Sequence, residues 1–158
     1  MFTVKELAQP DTVEEAYRIL TDNRDAVVLG GCAFLRMGSR AIGTAIDLSR
    51  LGLQGIREHA GVIEIGAMTT FRMLETDLLL RQYFDGLLAE AVKAVVGVQF
   101  RNGVTVGGTV FSKYGFSDLL PALLALETEV ELARGGRMAL EDFLDRPYEK
   151  DILLRLWI

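Results

Sequence analysis

An amphipathic helix is predicted for the segment PDTVEEAYRILTDN. Its apolar residues recur three or four positions apart and therefore share one helical face: Val13, Ala16, Tyr17 and Leu20. Asp11 and Thr12 are alternative N-caps, because each is followed three residues later by a glutamate.

Short apolar runs next to glycines predict strands in the segment that follows. AVVLGG is typical of a buried strand that enters a tight turn, and CAFLRMGSR after it has room for one helical turn. TAIDLSRL and LQGIREHAG have the character of short strands, and AGVIEIGA predicts the return strand of a hairpin.

Helical patterns return in the second half of the chain. Thr69 or Thr70 can cap a helix that starts in MTTFRMLETD. LLLRQYFDGLLAEAVKAVV predicts at least one more, with a shared apolar face formed by Leu87, Leu88, Ala91 and Val95. In FSDLLPALLALE, Ser117 is the predicted N-cap and Pro121 lies within the first turn.

The end of the chain has strand character. TEVELARGG predicts a strand, and DILLRLWI predicts another that stops at Trp157 and Ile158 without a polar closing turn. Such a strand is expected to be a sheet edge covered by a partner, or to lead into another domain in longer relatives. The mixture of helices with several antiparallel neighbours predicts the α+β class.

The stretch RNGVTVGG, from Arg101 to Gly108, alternates like a strand. Val104 and Val106 would lie on one face and Thr105 on the other. Three of its eight positions are glycine, however, and glycine weakens a strand interior because it has no side chain to pack. Some other requirement must favour glycine here.

Composition and charge narrow the function classes. Half of the residues are hydrophobic and a quarter are charged, but no uncharged apolar run approaches the roughly 18 residues that span a bilayer. The N-terminus does not resemble a signal peptide, so we expect a cytoplasmic protein without a membrane span. A net charge of -5 without basic clusters disfavours nucleic acid as a partner.

The rarity of cysteine and histidine excludes several kinds of site. Cys32 is the only cysteine, so the chain forms no internal disulfide and cannot supply the four thiolates that usually hold an iron–sulfur cluster. His59 is the only histidine, which excludes a histidine-rich zinc site. We expect Cys32 to pack at a tight turn and His59 to lie at the surface near a hairpin turn.

Two glycine-rich segments are the candidate chemical sites: LGGCAFL, from Leu29 to Leu35, and VTVGGT, from Val104 to Thr109. A strand that breaks into Gly-Gly exposes successive backbone N–H groups, which bind phosphate oxygens well. Two such loops that meet in space would hold a pyrophosphate from two sides, although each pair is also compatible with an ordinary turn. Neither segment matches the P-loop or the Rossmann fingerprint.

The order of five motifs resembles the FAD-binding domain of molybdopterin dehydrogenases, the flavin subunit of the xanthine and carbon monoxide dehydrogenase group. LGGCAFL resembles the family's AGGTDLL-like loop, IDLSRLGLQGI its IDLxxIxxLxGI segment, and IGAMTT its IGAxTT. RNGVTVGGT resembles RNxGTIGGN, and SDLLPALLAL resembles GDLLPALLAL. KYGFSDLL differs from the commoner ASPxGDLL but retains its aspartate, Asp118.

This resemblance implies a PCMH-type FAD-binding fold. A small N-terminal α/β lobe, residues 1–54, would carry the first loop, and a larger α+β lobe with a mixed or antiparallel sheet, residues 55–158, would carry the second. The family's usual C-terminal domain would be absent. The implied FAD-binding residues are Leu29, Gly30, Gly31, Cys32, Ala33, Phe34, Leu35, Val104, Thr105, Gly108, Thr109 and Asp118.

By the same resemblance, the chain would be the FAD-binding subunit or a fragment of a molybdenum hydroxylase. It would pass electrons from iron–sulfur clusters of a partner subunit, through FAD, to NAD or another acceptor, beside a molybdopterin subunit. No catalytic side chain or metal ligand is required of it. The chain departs from the family's motifs at three places: Cys32-Ala33 replaces the common Thr-Asp, Val104 replaces a Gly, and Thr109 replaces an Asn. One alternative is therefore a non-catalytic assembly module with weak or no FAD binding. Another is a protein that binds a different diphosphate.

Overall fold

The structure is a computed structural model that describes residues 1–158. Two sheets organise the chain. The first contains three parallel strands in the order β1-β3-β2: β1 (Thr3–Ala8), β2 (Ala26–Leu29) and β3 (Ala41–Asp47). The second contains five antiparallel strands in the order β4-β5-β8-β6-β7: β4 (Ile56–His59), β5 (Val62–Gly66), β6 (Glu129–Leu132), β7 (Gly136–Ala139) and β8 (Leu153–Trp157).

Eight short α-helices complete the fold, which confirms the predicted α+β class. They are α1 (Val13–Asp22), α2 (Phe71–Thr76), α3 (Leu78–Gln82), α4 (Leu87–Lys93), α5 (Val98–Gly103), α6 (Val106–Ser112), α7 (Leu119–Leu124) and α8 (Leu140–Asp145). No helix is both long enough and apolar enough to cross a bilayer.

Two hydrophobic cores correspond to the two sheets. The smaller core joins α1 to the parallel sheet through residues such as Ala16, Leu20 and Ile46. The larger joins the antiparallel sheet to α2 and to the helices after it. Ile152 and Leu154 lie in the smaller core although they come late in the chain, so the division into lobes at residues 54 and 55 stays a prediction.

Several local predictions are confirmed together with their caps. Thr12 caps α1, because its hydroxyl accepts the Glu15 N–H at 3.1 Å, and the hairpin of β4 and β5 forms as expected. Thr70 rather than Thr69 caps α2. At α7, the Ser117 hydroxyl accepts the Leu120 N–H at 3.3 Å.

The predicted strand in RNGVTVGG is wrong. Helix α5 extends to Gly103 and helix α6 begins at Val106, so only the two residues between them are extended. One of these, Thr105, forms an isolated β-bridge with Thr70. Val104 and Val106 are both buried, because they flank the turn between two helices. Their spacing of two therefore imitates a strand.

One other expectation is wrong, one is confirmed in part, and one strand is not predicted. Strand β8 is not a sheet edge, since it lies between β5 and β6. The predicted apolar face of α4 is confirmed in part: Leu88 is buried in the larger core, and Leu87, Ala91 and Val95 are partly buried against it. The helix itself ends at Lys93, before Val95, and its other buried residues are Ala89 and Val92. The pattern also does not predict β1, whose side chains are almost all exposed.

A buried ion pair fixes the helix that leads into the second glycine segment. Arg101 is 6% exposed, and its Nε and Nη2 atoms donate to the Glu75 carboxylate at 2.9 and 3.1 Å. Its Nη1 donates to the Val95 carbonyl at 3.0 Å, and Arg72 also contacts Glu75. Hydrogen bonds from Arg101 and then Arg72 hold the pKa of the Glu75 carboxyl below its ordinary value of 4.5.

We expect Glu75→Gln to destabilise the folded chain at neutral pH, because the amide lacks the charge that both guanidinium groups stabilise. Since the pKa of Glu75 is lowered on folding, its contribution is present above pH 4.5 and is lost as the pH falls through the folded value. Urea midpoints measured from neutral to acidic pH should therefore converge with those of the wild type. Glu90→Gln, in the exposed pair with Lys93, is the control, and a Glu75→Gln deficit that persists in acid contradicts the assignment.

We expect Gly107→Ala to destabilise the fold by about 1–3 kcal/mol through overpacking. An added Cβ would lie 2.7 Å from the Ala67 Cβ and 2.8 Å from the Ala67 carbonyl oxygen. Gly115→Ala is the matched control, because nothing lies within 4 Å of a Cβ built there. Thermal unfolding of both variants tests this expectation, and equal melting temperatures would show that the Gly107 contact is not limiting.

Candidate functional site

The two glycine segments meet at one wall of a cleft of about 810 Å³, a volume suited to a large small-molecule ligand. We call Leu29–Leu35 the first loop and Val104–Thr109 the second loop. All the residues predicted for cofactor binding line this cleft: Leu29, Gly30, Gly31, Cys32, Ala33, Phe34, Leu35, Val104, Thr105, Gly108, Thr109 and Asp118. That they bind a cofactor stays a prediction, but the structure brings them together.

Thr105 joins the two loops. It is the N-cap of α6, and its Oγ1 accepts the Gly108 N–H at 3.2 Å and the Gly31 N–H, from 74 residues away, also at 3.2 Å. The side chain is buried, and its hydroxyl donates to no protein acceptor in the structure. Thr105 therefore organises both loops while it keeps one proton to donate.

Close packing between the loops explains two of the glycines. A Cβ on Gly31 would lie 1.5 Å from the Gly103 carbonyl oxygen, which no side chain can occupy. A Cβ on Gly30 would lie 2.9 Å from Thr105 Oγ1 and 3.1 Å from Gly108 Cα. The glycines thus allow backbone to approach backbone, and the N–H groups of Gly31 and Gly108 are already used by Thr105.

Most of the unused backbone donors of the first loop come after the glycines, although the Gly30 N–H also meets no protein acceptor. The N–H groups of Cys32, Ala33 and Phe34 meet no protein acceptor. Cys32 is left-handed, with φ 57°, and Phe34 is right-handed helical, with φ -79°. Successive N–H groups that are free at a turn of this kind can together bind an anion.

The Cys32 thiol is held within the first loop. Its Sγ donates to the Gly30 carbonyl at 3.3 Å, and burial raises the pKa of the thiol, although the positive charge of Arg36 opposes this effect. A raised pKa keeps sulfur protonated and weakly nucleophilic. This agrees with the expectation that Cys32 packs at a tight turn.

The second loop is supported from behind by the connection between β5 and α2. The Val106 N–H donates to the Thr69 carbonyl at 2.8 Å, and the Gly107 N–H donates to the Ala67 carbonyl at 2.7 Å. The Val104 carbonyl accepts the Phe71 N–H at 2.9 Å. These bonds fix the second loop, so that Thr105 has a defined position for meeting Gly31.

Charged side chains on the cleft wall are of both signs. Arg24 and Arg40 line it and form no ion pair, whereas Lys150 is occupied by three main-chain carbonyls at the end of α1. Asp118 lies at the start of α7 but does not cap it, since Ser117 does. Its exposed carboxylate is therefore available to a ligand.

Sequence reasoning missed other cleft residues. Tyr114 and Phe116 line the cleft beside Phe34, and Tyr148 approaches from the segment before β8. The sequence feature that could have indicated them is the pair of aromatic residues on either side of Gly115, just before Asp118.

His59 is exposed at the end of β4 and does not line the cleft. No group of three or more His, Cys, Asp or Glu residues is placed to hold a metal.

Sequence comparison finds relatives that include a protein named as an FAD-subunit. The chain is 32% identical to the nicotinate dehydrogenase FAD-subunit of Eubacterium barkeri over 150 residues, which cover 89% of this chain and 50% of that protein. It is 29% identical to YgfM of Escherichia coli (strain K12) over 150 residues, covering 93% and 56% of the two chains. The chain thus spans about half the length of these relatives.

Structural comparison gives the same relationship. The fold superposes on carbon monoxide dehydrogenase from Hydrogenophaga pseudoflava with a TM-score of 0.86 and 26% identity, over 100% of this chain and 60% of that one. This confirms the fold class that the resemblance implied. Residues 2–157 match the family described as the FAD binding domain in molybdopterin dehydrogenase. The chain belongs to this family of FAD binding domains, whose cofactor is FAD.

Proposed function

We propose that this chain binds FAD in the cleft between its two loops and acts as the flavin-binding part of a molybdenum hydroxylase of the xanthine dehydrogenase type. The observation that carries this proposal is the joining of both loops by Thr105 at the wall of a cleft of about 810 Å³. The two loops are distant in sequence, and each brings unused hydrogen-bond donors to the same wall.

The groups present suit a dinucleotide. The free N–H groups of Cys32, Ala33 and Phe34 and the hydroxyl proton of Thr105 supply donors for a pyrophosphate. The unpaired guanidinium groups of Arg24 and Arg40 complement its negative charge. The Asp118 carboxylate can accept hydrogen bonds from ribose or ribityl hydroxyls.

The residues of this chain bind and orient the cofactor rather than transfer protons. Bound flavin would supply the redox chemistry, receiving electrons from iron–sulfur clusters of a partner subunit and passing them to NAD or another acceptor. The proposal assigns no role in this transfer to the Cys32 thiol, whose pKa is raised by burial. The cleft wall therefore needs well-placed donors and no side-chain base.

The proposed partners are an iron–sulfur subunit and a molybdopterin subunit. One relative is named as the FAD-subunit of nicotinate dehydrogenase, and another, 33% identical over 132 residues, is named as the medium chain of a carbon monoxide dehydrogenase. These names support a role as one component of a larger oxidoreductase. The cytoplasmic location stays a prediction.

The visible spectrum of the purified chain, with and without added FAD, tests the proposal. We expect flavin absorption bands to remain with the protein after gel filtration, at one FAD per chain. Absence of bound flavin at saturating FAD would overturn the proposal for this chain. If such a colourless chain still copurified with molybdenum and iron–sulfur subunits, that result would support the assembly module instead.

Thr105→Val should weaken FAD binding by roughly ten- to a hundred-fold, because it removes the hydroxyl donor and leaves two N–H groups without their acceptor. Thr105→Ser keeps the hydroxyl and should retain most of the affinity. Thr128→Val is the matched control: Thr128 is equally buried and donates to the Leu123 carbonyl at 2.7 Å, but it does not line the cleft.

Equilibrium dialysis of FAD against the three variants checks this expectation. Thermal unfolding in the absence of FAD separates lost stability from lost affinity. Equal weakening by Thr105→Val and Thr128→Val would mean that Thr105 acts through general stability alone.

A further inference from the structure

Three aromatic rings meet at the cleft and join the first loop to the segment after α6. The Phe34 centroid lies 5.0 Å from that of Tyr114 and 5.3 Å from that of Phe116, and the Tyr114 and Phe116 centroids are 5.0 Å apart. The Tyr114 and Phe116 rings are stacked at 17°, and Phe34 is inclined to both. We call Phe34, Tyr114 and Phe116 the aromatic triad.

The aromatic triad is exposed, unlike a core cluster. Phe34, Tyr114 and Phe116 are 42%, 37% and 65% exposed, and all three line the cleft. Exposed aromatic surface is unfavourable in water, and contiguous patches of it mark binding sites more often than scattered apolar residues do. The exposed parts of these side chains are therefore accessible to a ligand in the cleft.

The segment that carries two of these rings is held from outside the cleft. Lys113 ends α6 in the left-handed region, with φ 52°, and its Nζ donates to the Arg146 carbonyl at 2.7 Å and to the Phe143 carbonyl. The Ser117 N–H donates to the Tyr114 carbonyl at 3.1 Å, which closes a turn. Tyr114 and Phe116 are thus positioned by hydrogen bonds to main-chain carbonyls, and none of these bonds involves their rings.

We propose that the aromatic triad is a stacking site for a planar ring of the bound dinucleotide, either the isoalloxazine or the adenine. This rests on the proposed function. Tyr114 and Phe116 lie where KYGFSDLL departs from the commoner ASPxGDLL, so the family's common motif does not supply these two rings. Heteroaromatic rings stack on aromatic side chains in water, and the neighbouring phosphate donors of the first loop place a dinucleotide within reach.

Phe116→Leu and Tyr114→Leu test the aromatic triad in the full chain. Each should weaken FAD binding about ten-fold, the usual effect of removing one aromatic stacking partner. Phe84→Leu is the matched control, because Phe84 is 40% exposed and pairs with Tyr83 at 6.0 Å but does not line the cleft. Far-ultraviolet circular dichroism confirms that each variant is folded.

The outcomes separate this site from the function on which it rests. If the wild type binds FAD and the two cleft variants bind it as tightly as Phe84→Leu does, the rings only pack on one another and the stacking site is wrong. If the wild type binds no FAD, the proposed function fails and the site with it. Weakening by both cleft variants, but not by Phe84→Leu, supports the site.

Competition by fragments of the cofactor identifies the stacked ring. FMN carries the isoalloxazine without adenine, and ADP carries adenine without the isoalloxazine. If Phe116→Leu weakens competition by FMN alone, the aromatic triad binds the isoalloxazine; weakening of ADP alone assigns it to adenine. Equal effects on both fragments, or on neither, would overturn stacking on one ring.

Discussion

The hydroxyl of Thr105 is the point at which the two halves of the cleft wall are joined. It accepts N–H groups from Gly31 and Gly108, so one buried oxygen sets the distance between loops that are 74 residues apart in sequence. An oxygen has only two lone pairs to offer, and both are used. Its proton has no acceptor in the protein, so Thr105 joins the two loops and remains able to donate one hydrogen bond.

The contact between the two loops gives Gly30 and Gly31 a packing role. Gly-Gly segments suggest amides exposed to phosphate, but Gly30 and Gly31 are required because the loops pack against one another with no room for a Cβ. Besides the Gly30 N–H, the free amides of this loop are those of Cys32, Ala33 and Phe34, where the left-handed Cys32 turns the chain. Backbone packing and the proposed ligand contacts therefore involve adjacent parts of one loop.

The sequence predicted the elements whose pattern has one physical explanation. Helix α1 has a cap and an amphipathic period, and the β4–β5 hairpin has alternation and a glycine turn. The Val-Thr-Val alternation near Thr105 failed because residues flanking a turn between two helices can be buried at the same spacing as in a strand. The central place of β8 depends on pairing with β5 and β6, which no local pattern records. The motif order predicted a set of site residues, and the structure places all of them at one cleft. Two rings of the aromatic triad were missed because they lie in KYGFSDLL, where the family motif is not matched.

The cleft wall is built largely from main-chain groups, and this explains why departures from the family's motifs leave the cleft intact. Cys32 and Ala33 contribute N–H groups, which do not depend on their side chains. Val104 supplies a carbonyl to Phe71 and a buried side chain to the larger core, so a valine in place of glycine adds packing behind the second loop. Thr109 is held by its N–H to the Thr105 carbonyl at 3.1 Å. The side chains of such a site can vary while the backbone keeps its shape, provided that Thr105 and the packed glycines are retained.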